Sequence, residues 1–178
     1  MDYKDKRYRA LTQSQLSLWT GQKLNPEAPL YNMAHSFDIH GALNQESFSI
    51  AFSELLKRAD ALRTIFTEVD GIPYQSILSN IEYQLEVIDF TSTNEFAIKK
   101  WMKERCQINF DLTQRLFDSV LIKVNAERHI WFLNIHHLVT DATASTILYK
   151  LQAELYQNIL AGTLKDVSET PSYNEYLL

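Results

Sequence analysis

Cysteine is nearly absent from this chain: among 178 residues there is one, Cys106. No internal disulfide can form, which fits a reducing cytosol, so a cytoplasmic location is expected. Glycine and proline number four each, too few for a low-complexity or disordered chain. No apolar run approaches the roughly 20 residues that cross a bilayer, and Met1–Arg9 is too polar for a signal peptide. Basic residues are in deficit: the net charge is -5, and the only basic run is the short stretch from Lys4 to Arg9. That disfavours nucleic acid as a partner. Internal repeats are missing as well. What is present is a 46% hydrophobic, 12% aromatic composition, enough to bury a core in one domain or one large lobe.

Read in order, the chain mixes helices and strands. After a polar lead-in, Thr12 and Gln15 can form a capping box, with Leu11 and Leu16 as a staple. Leu16, Trp19 and Lys23 or Leu24 would line one stripe of that helix, which Asn25-Pro26 ends. Asn32–His40 reads as a strand closed by Gly41. Asn44 caps an amphipathic helix carrying Phe48, Ala51, Phe52, Leu55 and Ala59. A strand follows, and Asp70-Gly71 marks a hairpin before Tyr74–Leu78. Tyr83–Ile88 reads as a further strand. Asn94–Gln107 has helical spacing, with Ala97, Ile98, Trp101 and Met102 on one face. Leu116–Val124 and Arg128–Ile135 read as antiparallel neighbours. A last helix, from about Ser145 to Ala161, buries Ile147, Leu148, Leu151, Leu155 and Ile159 and stops at Gly162. This is an α/β (α+β) pattern, with a mixed, largely antiparallel sheet packed against helices in two layers.

Chemistry concentrates between the last strand and the last helix, at Asn134-Ile135-His136-His137-Leu138-Val139-Thr140-Asp141-Ala142. Along a strand, neighbouring histidines point to opposite faces. One ring can therefore face a substrate while the other packs inside. Histidine suits proton transfer near neutral pH. Asp141 precedes a helix, so its plain role is a cap; an internal ion pair with an arginine is the alternative. Zinc needs three or four converging ligands, and His35, His40 and His129 show no ligand spacing, so no metal is expected. Cys106, beside Trp101 and Met102, reads as a packing thiol, and Ser145 is not in a nucleophile-elbow sequence.

His136-His137-Leu138-Val139-Thr140-Asp141 resembles the His-His-x-x-x-Asp-Gly signature of nonribosomal peptide synthetase condensation domains. Further stretches resemble that family in its order: Leu11–Trp19 its opening Ser/Thr-x-Ala-Gln motif, Tyr31-Asn32 its Tyr-Asn, and Arg58–Phe66 its Arg-His-Glu-x-Leu-Arg-Thr-x-Phe. Phe110-Asp111-Leu112 is similar to its Phe-Asp-Leu, and Ser172–Tyr176 to its Tyr-x-x-Tyr. Ala142 stands where the signature has glycine, and Ala59-Asp60 where the family has His-Glu. An alanine at 142 should restrict the backbone relative to glycine.

The resemblance implies a chloramphenicol acetyltransferase-like lobe that forms amide bonds between carrier-bound substrates. His137 would be catalytic, as base or positioning group, and His136 its structural support. Asp141 would be structural and paired with Arg63. No cofactor would bind directly, since substrates arrive on the phosphopantetheine of carrier proteins. Residues 1–10 would be a lead-in, 11–165 the N-terminal lobe, and 166–178 the start of a linker to a C-terminal lobe lying outside this chain, with an adenylation domain downstream. With Met1 so close to the opening motif, the donor would come in trans. Alone, the chain would be inactive. Two other readings stand beside this one: a non-catalytic half-domain that docks carriers, and a stand-alone acyltransferase of the same fold that shares sites in an oligomer.

Overall fold

The computed structural model describes residues 8–164. The expected linker and the Ser172–Tyr176 stretch lie outside the described residues. In chain order the elements are β1 (Arg9–Ala10), α1 (Gln13–Leu24), β2 (Asn32–His40), α2 (Gln45–Arg58), α3 (Asp60–Arg63), β3 (Thr64–Val69) and β4 (Ile72–Ile77). They continue with β5 (Glu86–Asp89), α4 (Glu95–Arg105), β6 (Phe117–Asn125), β7 (Arg128–His136) and α5 (Ala142–Ala161).

The helix boundaries follow local chemistry. Thr12 and Gln15 form the expected capping box at α1. Asn44 caps α2 through the Ser47 N–H, and Asn94 caps α4 through the Ala97 N–H. These side-chain oxygens satisfy donors that the first helical turn leaves free. Gly162 ends α5 with φ of 71°, a left-handed conformation that glycine adopts without a Cβ clash. Asp70 and Gly71 both have positive φ, as a two-residue primed turn between β3 and β4 requires.

Four strands form the larger sheet in the order β2-β7-β6-β5. β7 pairs antiparallel with both neighbours, and β5 runs parallel to β6. Alternation along β6 and β7 divides the core. Phe117, Leu121, Trp131, Leu133 and Ile135 face α2 and α5, whereas Val120, Ile122, Ile130 and Phe132 face Ile98 and Trp101 of α4. Arg105 fastens α4 to β6 with two bonds to Asp118, of 2.6 and 2.9 Å. The smaller sheet, β1-β4-β3, packs with α1 around Phe66, Leu116 and Leu138.

Several sequence expectations are corrected. Arg9 and Ala10, assigned to the lead-in, pair with Gln75 and Tyr74 of β4. The fifth strand starts at Glu86 rather than Tyr83; the Tyr83 hydroxyl instead bridges to β6, donating to the Ser119 carbonyl at 2.6 Å. On α1 the Leu16–Leu11 staple is not formed. Leu16 is 44% exposed, and Leu11 packs instead against the cluster of Phe66, Leu116 and Leu138. The buried positions of that helix are Gln15 and Gln22, so polar residues occupy places that a hydrophobic reading gives to leucine. Ile147, expected in the core, is also exposed on α5.

Candidate active site at the end of β7

β7 ends at His136, and the chain turns at once. The Val139 N–H returns to the His136 carbonyl at 3.1 Å, closing a turn with His137 and Leu138 at its centre. The His137 N–H donates to the Tyr31 carbonyl at 2.8 Å, so the Tyr-Asn stretch before β2 anchors the turn. Asn32 extends this by donating to the Cys106 and Ile108 carbonyls. Close packing supports Tyr31: a Cβ on Gly21 would lie 2.0 Å from its hydroxyl oxygen, so a larger residue there would displace the tip of the Tyr31 side chain.

The two histidine rings part company, His136 at the last position of β7 and His137 in the turn that follows. His136 is buried, between Tyr31 and Phe110. Its Nδ1 accepts the Leu138 N–H at 3.1 Å, so the proton sits on Nε2, 3.3 Å from Gln22 Oε1. The Gln22 amide cannot turn over, because its nitrogen already donates to the carbonyls of Asn25 and Ala28. His136 is thus held as a neutral Nε2–H imidazole. Burial, aided by the neighbouring His137, pushes its pKa down to about 4.

This burial has a stability consequence. An unfolded histidine takes a proton near pH 6.5, while the folded one resists to about 4. The contribution is complete above the unfolded value and is lost as pH falls through this window, because the unfolded state binds the proton first. The loss between pH 7 and 4 should reach roughly 3 kcal/mol, read from urea midpoints. His136→Phe should flatten that part of the profile; an unchanged slope would assign it to other groups.

His137 is built for the opposite purpose. Its Nδ1 lies 2.5 Å from the Thr140 carbonyl. A carbonyl only accepts, so Nδ1 carries a proton, and in that tautomer of the uncharged ring the lone pair is on Nε2. The residue lines a cavity of about 740 Å³ with Gln15, Leu18, Ala61, Val139 and Ala144. A neutral imidazole with a free basic nitrogen, fixed in tautomer by a backbone carbonyl, can accept a proton from a nucleophile.

The structure brings His137 and Asp141 to one cavity but does not join Asp141 to Arg63. Asp141 is exposed and caps α5, its Oδ1 accepting the Ala144 N–H at 2.7 Å. Arg63 instead pairs with Asp60 at 2.6 Å and donates to the Leu78 carbonyl. Asp60 wins because it lies one turn back on the same short helix. Ala142 is the first residue of α5, and among the described non-glycine residues only Asp70 has a positive φ. Alanine is therefore unstrained at 142.

Gln22, Gln75 and the Thr140 carbonyl were not singled out by the sequence, although Gln22 follows Gln15 by seven residues on the same helical face. Cys106 is a partly buried packing residue whose thiol donates to the Met102 carbonyl, and burial pushes its pKa up. Among the described residues, no group of three or more His, Cys, Asp or Glu is placed to hold a metal ion, and no helix is long and apolar enough to cross a membrane.

The model of the condensation domain family matches residues 6–178. This chain belongs to that family. It is 33% identical over 165 residues to a dimodular nonribosomal peptide synthase of Bacillus subtilis (strain 168), covering 90% of this chain and 7% of that protein. It is 27% identical to a linear gramicidin synthase of Brevibacillus parabrevis, over 93% of this chain and 3% of that protein. The starter condensation domain of rhizomide synthetase superposes with a TM-score of 0.89 at 28% identity, covering 96% of this chain and 42% of that one. The first condensation domain of the calcium-dependent antibiotic synthetase shares the fold, with a TM-score of 0.89 at 21% identity, over 96% of this chain and 44% of the other. The condensation-family chain thus spans less than half of these solved chains and under a tenth of these synthases. Its α/β architecture is that of a chloramphenicol acetyltransferase-like lobe.

Proposed function

We propose that this chain is the motif-bearing N-terminal lobe of a nonribosomal peptide synthetase condensation domain. In this reading the lobe runs from Arg9, the first residue of its smaller sheet, to about residue 165, and 166–178 lead towards a C-terminal lobe, with an adenylation domain further on. The reaction joins a carrier-bound acyl or peptidyl thioester to the amine of a carrier-bound amino acid. The observation that carries this is His137, which lines the cavity with its Nδ1–H held by the Thr140 carbonyl and no hydrogen bond to its Nε2 among the described residues. As the amine nitrogen attacks the thioester carbon, a C–N bond forms and the C–S bond breaks. His137 Nε2 takes the proton that nitrogen loses and can return it to the departing phosphopantetheine thiolate. The phosphopantetheine arrives with the carriers. His136 supports the turn, and Asp141 caps the helix that follows. The cavity wall is largely apolar, with Leu18, Ala61, Leu138, Val139 and Ala144, which suits an acyl chain.

Acyl transfer needs two tethered substrates aligned and water kept out. One lobe offers half of such an enclosure. The test compares the 178-residue chain with the same chain joined to a C-terminal condensation lobe, each given loaded donor and acceptor carriers, with amide product read by mass spectrometry. Product is expected only from the joined protein. Comparable turnover by the chain alone would favour a stand-alone acyltransferase; carrier binding without product from the joined protein would favour a docking half-domain.

A further inference from the structure

The peptide plane joining Leu138 to Val139 lies one residue beyond His137, and both of its polar ends are held. Its N–H, from Val139, donates to the His136 carbonyl. Its oxygen, from Leu138, accepts from Gln15 Nε2 at 3.2 Å. Gln15 is locked in turn by Gln75, which is 1% exposed. The two amides bond head to tail: Gln15 Nε2 donates to Gln75 Oε1 at 3.0 Å, and Gln75 Nε2 donates to Gln15 Oε1 at 2.9 Å. Gln15 Oε1 also accepts the Thr12 N–H, and Gln75 Nε2 also donates to the Ala10 carbonyl, each at 3.0 Å. Turning either amide over would set donors against donors and acceptors against acceptors, so the pair has one arrangement.

We propose that Gln75, acting through Gln15 and the Leu138 carbonyl, is a positioning residue for His137. The inference rests on the proposed role of His137 as the reacting histidine. Without Gln75, Gln15 keeps only the Thr12 N–H to fix its amide, so its hold on the Leu138 carbonyl loosens and the Leu138–Val139 plane can rotate about its anchored N–H. Rotation carries the Thr140 carbonyl away from His137 Nδ1. The ring then samples the Nε2–H tautomer, which has no lone pair to offer from Nε2. His136 is insulated from this change, because Gln22 and the Leu138 N–H hold its ring.

The test uses the 178-residue chain with 15N-labelled histidine, reading tautomers by long-range 1H–15N correlation. The unsubstituted chain should show His137 as Nδ1–H and His136 as Nε2–H. Gln75→Met keeps the bulk and removes both hydrogen-bonding roles. In that variant the His137 Nδ1–H to Nε2–H ratio should fall about five- to tenfold, the weight of one lost hydrogen bond, with the His136 signal unchanged. A folded Gln75→Met with an unaltered His137 signature overturns the proposal, as does an equal change at both rings. If Gln75→Met does not fold, Gln75→Asn, which keeps the amide but is too short to reach Gln15, decides by the same criteria. If neither folds, the side-chain amide protons of Gln15 and Gln75 in the unsubstituted chain must exchange with water more slowly than those of exposed Gln13, and fast exchange at either overturns it. None of these readouts depends on turnover, so a failure of condensation activity and a failure of this inference are told apart.

Discussion

Replacing His137 by alanine in a protein that carries this lobe joined to its C-terminal partner should lower the rate of amide formation by about 10²–10⁴-fold, the usual loss for a general acid–base group. The fold should be untouched. The His137 ring lines the cavity, and its one polar contact among the described residues, to the Thr140 carbonyl, leaves an acceptor beside the cavity when it is removed. Thermal midpoints of variant and parent should therefore agree. The rate loss should appear in kcat, and single-turnover kinetics with both carriers loaded would measure it directly. His137→Asn is the instructive companion. It can still donate to the Thr140 carbonyl but presents no basic nitrogen, so it should be as slow as the alanine variant. Recovery of rate with asparagine would assign His137 to orientation rather than proton transfer, and an unimpaired alanine variant would remove it from the reaction.

The largest loss of stability should come from Trp131→Ala, about 3–5 kcal/mol, as for other fully buried aromatic truncations. Trp131 is 1% exposed and lies at the centre of the layer between the sheet and helices α2 and α5. Its ring meets Phe37 at 5.2 Å, Phe48 at 5.8 Å and Phe52 at 6.1 Å between centroids. Its indole N–H donates to the Ser119 hydroxyl at 2.8 Å, a bond buried between β7 and β6. Truncation opens a cavity among three rings and strands that hydroxyl. A typical domain has about 5–15 kcal/mol in hand, so the variant should stand near the edge of folding. Urea unfolding should show a lowered midpoint at unchanged slope. Trp131→Phe, which keeps most of the packing and forfeits the hydrogen bond, should lose much less. Equal losses for the two would mean that the indole N–H, not the ring stack, carries the stabilisation.

Much of this lobe is legible in its sequence, and the parts that are not share a cause. Thr12, Asn44, Asn94, Asp70-Gly71 and Gly162 act on their immediate neighbours, so their effects can be read locally. The divergence of His136 and His137 is expected from strand alternation, and the turn that begins just past β7 completes it. The choices that escaped are made between distant segments. Arg63 could have met either Asp60 or Asp141, and only the fold shows that the nearer carboxylate takes it. The buried face of α1 escaped because Gln15 and Gln22 are polar. Their burial is stable only because Gln75, the Leu138 carbonyl and His136 complete their hydrogen bonds. Gln75 itself looks like any polar residue of a half-buried strand until β1, α1 and the turn after β7 close around it.

That closure also sets an order of events for the growing chain. β6 and β7 are joined by a short turn and can pair as soon as both exist. The groups that aim the histidines arrive from much earlier in the sequence: Gln22 meets His136 across 114 positions, and Gln15 meets Leu138 across 123. Contacts of that separation form only after their loop-closure entropy has been met. A folding intermediate with the hairpin in place but α1 undocked would carry two ordinary, water-exposed histidines. The depressed protonation of His136 and the fixed tautomer of His137 are then late acquisitions, and their appearance in time-resolved NMR would mark the moment at which the lobe becomes competent.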